Sequence, residues 1–200
     1  LAQCDRMDAV IDFSAPASLP ALAAYVQRTG TPLVSGTTGY CDEEAARVNA
    51  LGSYAPVAVS ANFSIGVAVL KHLAAEAAAL LPDFDIEIIE THHRMKKDAP
   101  SGTAKLLLSA VNPDGTHPTV FGREGFAPRT ADEIGVHAVR GGTVAGVHTV
   151  SFFGDEEELS LTHRAESRRI FAIGALKTAE KLKDAPVGLH TLDELLFARR

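Results

Sequence analysis

Five side chains able to carry positive charge, His92, His93, Arg94, Lys96 and Lys97, fall within six residues of a chain whose formal net charge is −6. Local positive charge on an acidic protein points to a small anionic ligand rather than a polyanion. Just downstream, Pro100-Ser101-Gly102-Thr103 leads into an apolar helical run, Ala104–Leu108. The free backbone N–H groups of a helix start form a ready carboxylate or phosphate site, and a cationic strand end beside it would hold a dianion. On charge alone, a solvated basic loop with an ordinary helix cap is the better explanation. The histidines change that balance, because His92 and His93 can change protonation near neutral pH and Lys96 adds a fixed charge. An acid donor with an electrostatic stabiliser is what reduction of a C=N-conjugated substrate requires, since hydride delivery builds negative charge that must be quenched.

A metal reading of the same residues is weaker. Adjacent histidines on an extended strand point to opposite faces, and neither an HxxxH pattern nor a Cys partner accompanies them, so no metal site is expected. A hydrolase built on His92, His93 and Asp98 fails for the same reason. His72, His117, His137, His148 and His163 are scattered and read as structural.

The elements that must position this segment differ between the two parts of the chain. Ala9–Phe13 reads as a short buried strand closed by Ser14 as N-cap, with Pro16 in the first turn of a helix to about Arg28 that carries Leu19, Leu22, Ala23 and Val26 at helical spacing. Gly30 ends that helix. Pro32–Ser35 follows as a strand, Gly36-Thr37-Thr38-Gly39 as a tight loop, Glu43–Leu51 as a helix capped by Asp42, and Val57–Ser60 as a third strand. This alternation is that of a parallel α/β sheet, whose ligand edge lies at the carboxyl ends of its strands. The middle of the chain reads as an apolar helix, Ile65–Leu81, a half-exposed strand, Phe84–Glu90, and a short helix, Thr103–Ala110. Glu133–Arg140, Gly146–Phe153 and Glu158–Arg164 then look like an antiparallel meander, followed by a helix at about Arg168–Lys183 and a short tail.

Composition narrows the class. Two hundred residues that are 46% hydrophobic and 22% charged exclude disorder, and the acidic balance argues against nucleic acid or a membrane surface as partner. Cys4 and Cys41 form no disulfide framework. Glu76 interrupts the most apolar run, and Asp5 and Asp8 stand where a signal peptide would be apolar. A cytoplasmic location is expected. No GxGxxG turn lies ahead of Val10, so a dinucleotide-binding unit here is expected to lack its first strand and helix.

Glu90–Ala104 (ETHHRMKKDAPSGTA) resembles the signature of the dihydrodipicolinate reductase family, also called 4-hydroxy-tetrahydrodipicolinate reductase. VIDFS at Val10–Ser14, GTTG at Gly36–Gly39 and SANFSIGV at Ser60–Val67 match the family's cofactor half. GREG at Gly122–Gly125, Ile134–Val150 and LTHRAESR at Leu161–Arg168 match its substrate half, all in family order. The link Val111–Gly115 is short where the family usually has a longer helix and loop.

The resemblance implies an α/β fold with a Rossmann-type cofactor domain at residues 1–63 and an α+β substrate and oligomerisation domain at 64–167, its sheet mixed or antiparallel. A C-terminal helix and tail, 168–200, would return to the first. It implies NAD(P)H-dependent reduction of a cyclic dicarboxylate in diaminopimelate and lysine biosynthesis, by a homo-oligomer, tetrameric in the family. By that resemblance His92 would be the proton donor and Lys96 the second catalytic residue. His93, Gly102 and Thr103 would hold the substrate carboxylates. Gly36, Thr37, Thr38, Ser60, Ala61, Asn62 and Phe63 would line the nicotinamide side of NADH or NADPH. The alternative is a non-catalytic, oligomerising relic that binds dicarboxylates without holding a dinucleotide tightly.

Overall fold

Apolar residues at helical spacing seat the first helix. In α1 (Leu19–Thr29), Leu19, Leu22, Ala23 and Val26 are buried, and Gly30 stops the helix at φ +66°, its N–H donating to the Val26 carbonyl. The computed structural model describes residues 1–197, in two units: Leu1–Ile65 together with the chain from Arg169, and Gly66–Arg168.

The first unit holds a parallel sheet. β1 (Val10–Asp12), β2 (Leu33–Ser35) and β3 (Pro56–Val59) pair in parallel, and β9 (Gly188–His190) continues the sheet beyond β3. Side chains alternate across it. Leu33 and Val57 join the cluster built on α1 and α2 (Asp42–Ala50), while Val34 and Ala58 pack with Ala175, Ala179 and Leu182 of α5 (Arg169–Leu182). The sheet is therefore covered on both faces, as parallel sheets must be.

The second unit wraps α3 (Ile65–Leu80) and α4 (Gly102–Val111) against one face of a five-stranded mixed sheet, ordered β5-β6-β4-β7-β8. These strands are β5 (Thr119–Phe121), β6 (Ile134–Arg140), β4 (Asp85–His92), β7 (Gly146–Gly154) and β8 (Glu157–Ala165). Leu70, Ala74, Ala77, Ile88, Ala104, Leu107, Val136, Val150 and Phe152 form its core. The two-domain α/β architecture is the one expected, with the second sheet mixed.

Several local expectations need correction. The meander is interrupted: β7 and β8 form an antiparallel hairpin, but β4 lies between β6 and β7, parallel to the first and antiparallel to the second. The Gly141-Gly142 turn loops over the end of β4 instead of folding β6 back on β7, with the Gly141 N–H donating to the His92 carbonyl and the His93 N–H to that of Val144. The tail contains β9 and α6 (Leu192–Phe197), since three residues paired to β3 leave no periodic trace. Ser14 does not cap α1, because its hydroxyl is taken by Asp12 and Ser18 and a 3-10 turn, Pro16–Ser18, precedes the helix. Asp42 is the first residue of α2 rather than its cap; Glu44 accepts the Cys41 N–H at the cap. Among the described residues no helix is long and apolar enough to cross a membrane.

Candidate active site

Alternation along β4 places Ile86, Ile88, Glu90 and His92 on the helix-covered face of the second sheet. Glu90 is completely buried and His92 is 9% exposed. His92 Nδ1 lies 2.6 Å from Glu90 Oε2. The Arg140 guanidinium donates to both Glu90 oxygens at 2.7 Å, and the Ser101 N–H donates to Oε1 at 3.0 Å. Burial alone would push the Glu90 carboxyl up, but the bonds from Arg140, His92 and Ser101 outweigh it and hold the group below its ordinary value. Arg140 also donates to the Asp98 carbonyl at 2.7 Å, clamping the basic loop to the same carboxylate.

Ser101 begins α4. Its hydroxyl accepts the Ala104 N–H at 3.1 Å and lies 3.0 Å from His148 Nε2. The His148 ring stands 5.1 Å from that of His92, edge to face. Burial, and then the neighbouring His92, push the His148 imidazole down to about 4, so it is neutral around pH 7. A Cβ at Gly146 would stand 3.1 Å from His92 Nε2, so glycine there keeps this nitrogen clear. Lys96 Nζ pairs with Asp98 Oδ1 at 2.8 Å, and the Lys96 N–H donates to the His93 carbonyl. Gly102 is exposed and faces open space, with nothing within 4 Å of where a Cβ would stand, while Thr103 and the His93 side chain are half-buried.

The first unit gathers the other set at the carboxyl ends of its strands. The buried Thr37 hydroxyl donates to Asp12 Oδ2 at 2.7 Å and accepts the Ser14 N–H at 3.1 Å, while the Ser14 hydroxyl donates to Asp12 Oδ1 at 2.6 Å. The Gly36 N–H donates to the Asp12 carbonyl, and a Cβ at Gly36 would fall 2.4 Å from the Phe13 ring. After β3, the Ser60 hydroxyl donates to the Asn62 carbonyl at 2.8 Å, and Asn62 Oδ1 accepts the Ser64 N–H at 2.8 Å. Phe63 is buried, 5.7 Å from Phe13 centre to centre. α5 meets this loop at Gly174, where a Cβ would sit 1.7 Å from the Phe63 carbonyl oxygen.

These residues suit the nicotinamide end of a dinucleotide. Both loops are held rigidly by internal hydrogen bonds while Thr38, Gly39 and Ala61 remain exposed, and Gly39, at φ +85°, has open space around it. Gly36, Thr37, Thr38, Ser60, Ala61, Asn62 and Phe63 thus fall on two adjacent strand ends of one unit. His92, His93, Lys96, Gly102 and Thr103 fall on one clamped segment of the other. Among the described residues no group of three or more His, Cys, Asp or Glu is placed to hold a metal ion.

Sequence reasoning gave no role to Glu90, Ser101, Arg140 and Asp12, and read His148 as structural. Only the Glu90–His92 pair carried a local signal, two polar residues at strand spacing beside an otherwise apolar face. Arg140 and His148 reach Glu90 from strands that are its neighbours in the sheet but far away in the chain.

Matches to known proteins change over near residue 65, where the second unit begins, and the C-terminal match also takes in the chain from Arg169 that belongs to the first unit. Residues 1–63 match the family model described as dihydrodipicolinate reductase, N-terminus, and residues 66–196 its C-terminal counterpart. A 4-hydroxy-tetrahydrodipicolinate reductase of an Exiguobacterium species is 45% identical over 190 residues, covering 94% of this chain and 76% of that protein. The enzyme of the same name from Clostridium novyi is 42% identical over 203 residues, covering all of this chain and 81% of its own. Among solved structures, a dipicolinate-bound dihydrodipicolinate reductase from a Paenisporosarcina species superposes with a TM-score of 0.76 at 26% identity, over 95% of this chain and 74% of that one.

Proposed function

The chain belongs to the dihydrodipicolinate reductase family, and on that premise we propose that its chemistry runs through the end of β4 and the start of α4. The protein is an NAD(P)H-dependent oxidoreductase that reduces 4-hydroxy-tetrahydrodipicolinate, or its dehydrated form dihydrodipicolinate, to tetrahydrodipicolinate in diaminopimelate and lysine biosynthesis. Bound NADH or NADPH supplies the hydride, and Gly36, Thr37, Thr38 and Ser60–Phe63 are the residues that would hold its nicotinamide.

His92, as imidazolium, gives the proton that completes the reduction. Lys96 stabilises the negative charge that hydride delivery builds on the ring. His93 and the helix start at Gly102-Thr103 hold the two carboxylates of the substrate, where backbone N–H groups at a helix N-terminus favour an anion. The observation that supports this assignment is the sharing of one carboxylate: Glu90 receives both the His92 ring and the Ser101 N–H at the cap of α4. Proton donor and carboxylate-holding helix start are thereby fixed to a single group.

A homo-oligomer, a tetramer as in the resemblance, fits the uncovered face of the second sheet, where Ile89, Val139 and Phe153 are exposed among Thr149, Thr162 and Ser160. A biosynthetic reductase of this kind works in the cytoplasm.

Turnover of the full-length protein, followed by oxidation of the reduced nicotinamide, tests the reading. His92→Gln should lower kcat by about 10²-fold or more with a much smaller change in KM for the ring substrate. Undiminished turnover in a correctly folded His92→Gln protein removes His92 from the mechanism. Calorimetric titration with NADH and NADPH distinguishes enzyme from relic, since micromolar binding is expected only of the enzyme.

A further inference from the structure

We infer that Glu90 is a positioning residue that acts through His92, fixing which imidazole nitrogen faces the substrate with a proton. The inference rests on the role proposed for His92. Glu90 is fully buried and receives two guanidinium N–H groups and one backbone N–H. Held this way it is an ionised carboxylate, which can only accept hydrogen bonds. The nitrogen 2.6 Å away, His92 Nδ1, must therefore be the donor. Neutral His92 is then the Nδ1–H tautomer, with a lone pair on Nε2, and protonation puts the transferable proton on Nε2 alone. The other tautomer would aim a lone pair at a carboxylate and leave Nε2 already protonated in the neutral ring, unable to reload as an acid.

The second histidine does not compete for this role. His148 is edge-on to His92 and neutral around pH 7, and its Nε2 is engaged with the Ser101 hydroxyl. Arg140 could balance the Glu90 charge without any histidine, so a purely structural ion pair would not need the 2.6 Å contact to His92. The same carboxylate accepts the Ser101 N–H, but the start of α4 is also held by the Ala104 N–H on the Ser101 hydroxyl and the Lys105 N–H on the Ser101 carbonyl, so it depends on Glu90 less than the His92 ring does.

Glu90→Gln and Glu90→Asp in the full-length protein provide the test. Aspartate keeps the charge for Arg140 but is one methylene too short to reach His92 Nδ1, which separates positioning from folding. Both variants should lose kcat by about tenfold to a hundredfold, part of the 10²–10⁴ that general acid catalysis contributes, while KM for the ring substrate changes far less. In a His92→Gln background the same changes should cost nothing more in kcat. Independently of turnover, long-range ¹H–¹⁵N spectra of histidine-labelled protein without substrate, at a pH high enough to leave the His92 ring neutral, should show the Nδ1–H tautomer in the wild type and a population of the Nε2–H tautomer in Glu90→Gln. A folded Glu90→Asp protein with wild-type kcat, or a Glu90→Gln loss that persists in full when His92 is already glutamine, overturns the inference. So does a neutral wild-type His92 ring that carries its proton on Nε2 and not on Nδ1. If His92→Gln itself keeps wild-type turnover, the proposed role of His92 fails, and the tautomer spectra still decide whether Glu90 sets the ring.

Discussion

Each unit of this protein carries a buried carboxylate at or near the end of a strand, Asp12 on β1 and Glu90 on β4, and the two differ in the company they keep. Asp12 accepts from the Ser14 N–H, the Ser14 hydroxyl and the Thr37 hydroxyl, all neutral donors. Glu90 accepts from a guanidinium, an imidazole and one backbone N–H. Neutral hydroxyl donors are enough to set the shape of a loop, which is the task at the dinucleotide edge. Charge-assisted bonds are stronger and directional, and they let the carboxylate govern the protonation of a neighbour. The difference also sets a risk: a fully desolvated charge is costly as soon as one partner is lost, whereas the hydroxyl network degrades gradually.

The harshest way to break the contrast is Arg140→Met. It strips both guanidinium bonds from Glu90 and the tie to the Asp98 carbonyl. An uncompensated buried carboxylate should cost about 3–5 kcal/mol of stability, measurable by urea unfolding at neutral pH. A loss below about 1 kcal/mol, the level of an exposed ion pair, would place Glu90 in the same class as Asp12.

Acid provides the next test. His148 is buried and neutral, its folded value pushed down to about 4 from 6.5. The unfolded chain therefore binds the extra proton first, so the stabilisation is fully present above about pH 6.5 and is lost as pH falls through about 4. The total is on the order of 3 kcal/mol. His163, beside it on β8, is lowered by burial as well and acts with the same sign, and Glu90, held low by its partners, adds a further loss at lower pH. Unfolding free energies at pH 7 and pH 4.5 should fall markedly in the wild type and less in His148→Gln. Equal slopes in the two proteins would show that His148 is not the buried neutral group the geometry makes it.

The division between these networks was only half legible in the sequence. Strands and helices of the first unit follow from short buried apolar runs alternating with period-3.6 patterns over Val10–Val59, because each strand pairs with the next strand in the chain. The order of the second sheet does not, because inserting β4 between β6 and β7 depends on pairings such as Glu90 with His148 that no local window contains. The charged segment His92–Lys97 stood out, since cations are conspicuous on an acidic chain. Its support did not: Arg140 reads as an ordinary strand-end arginine and His148 as a polar residue in an alternating strand until the sheet brings both to Glu90. β9 left no signal for a similar reason, being three residues whose only strand character is their pairing with β3.

The gentlest change addresses the other carboxylate. Asp12→Asn keeps the shape and one carbonyl acceptor for Ser14, but its amide N–H₂ would face the Thr37 hydroxyl, which now donates to Asp12 Oδ2 and already accepts the Ser14 N–H. One donated bond is lost, worth about 1 kcal/mol or roughly fivefold in affinity. Since this network shapes only the Gly36–Gly39 loop, the loss should appear as a several-fold rise in KM for NADH or NADPH with kcat nearly unchanged. Glu90→Gln, the same acid-to-amide exchange, should do the reverse and spare KM while lowering kcat. Measuring both variants side by side makes each the control for the other. A fall in kcat for Asp12→Asn comparable to that for Glu90→Gln would mean that the hydroxyl-held carboxylate also steers chemistry, and the distinction between holding a loop and holding a proton donor would no longer separate the two units.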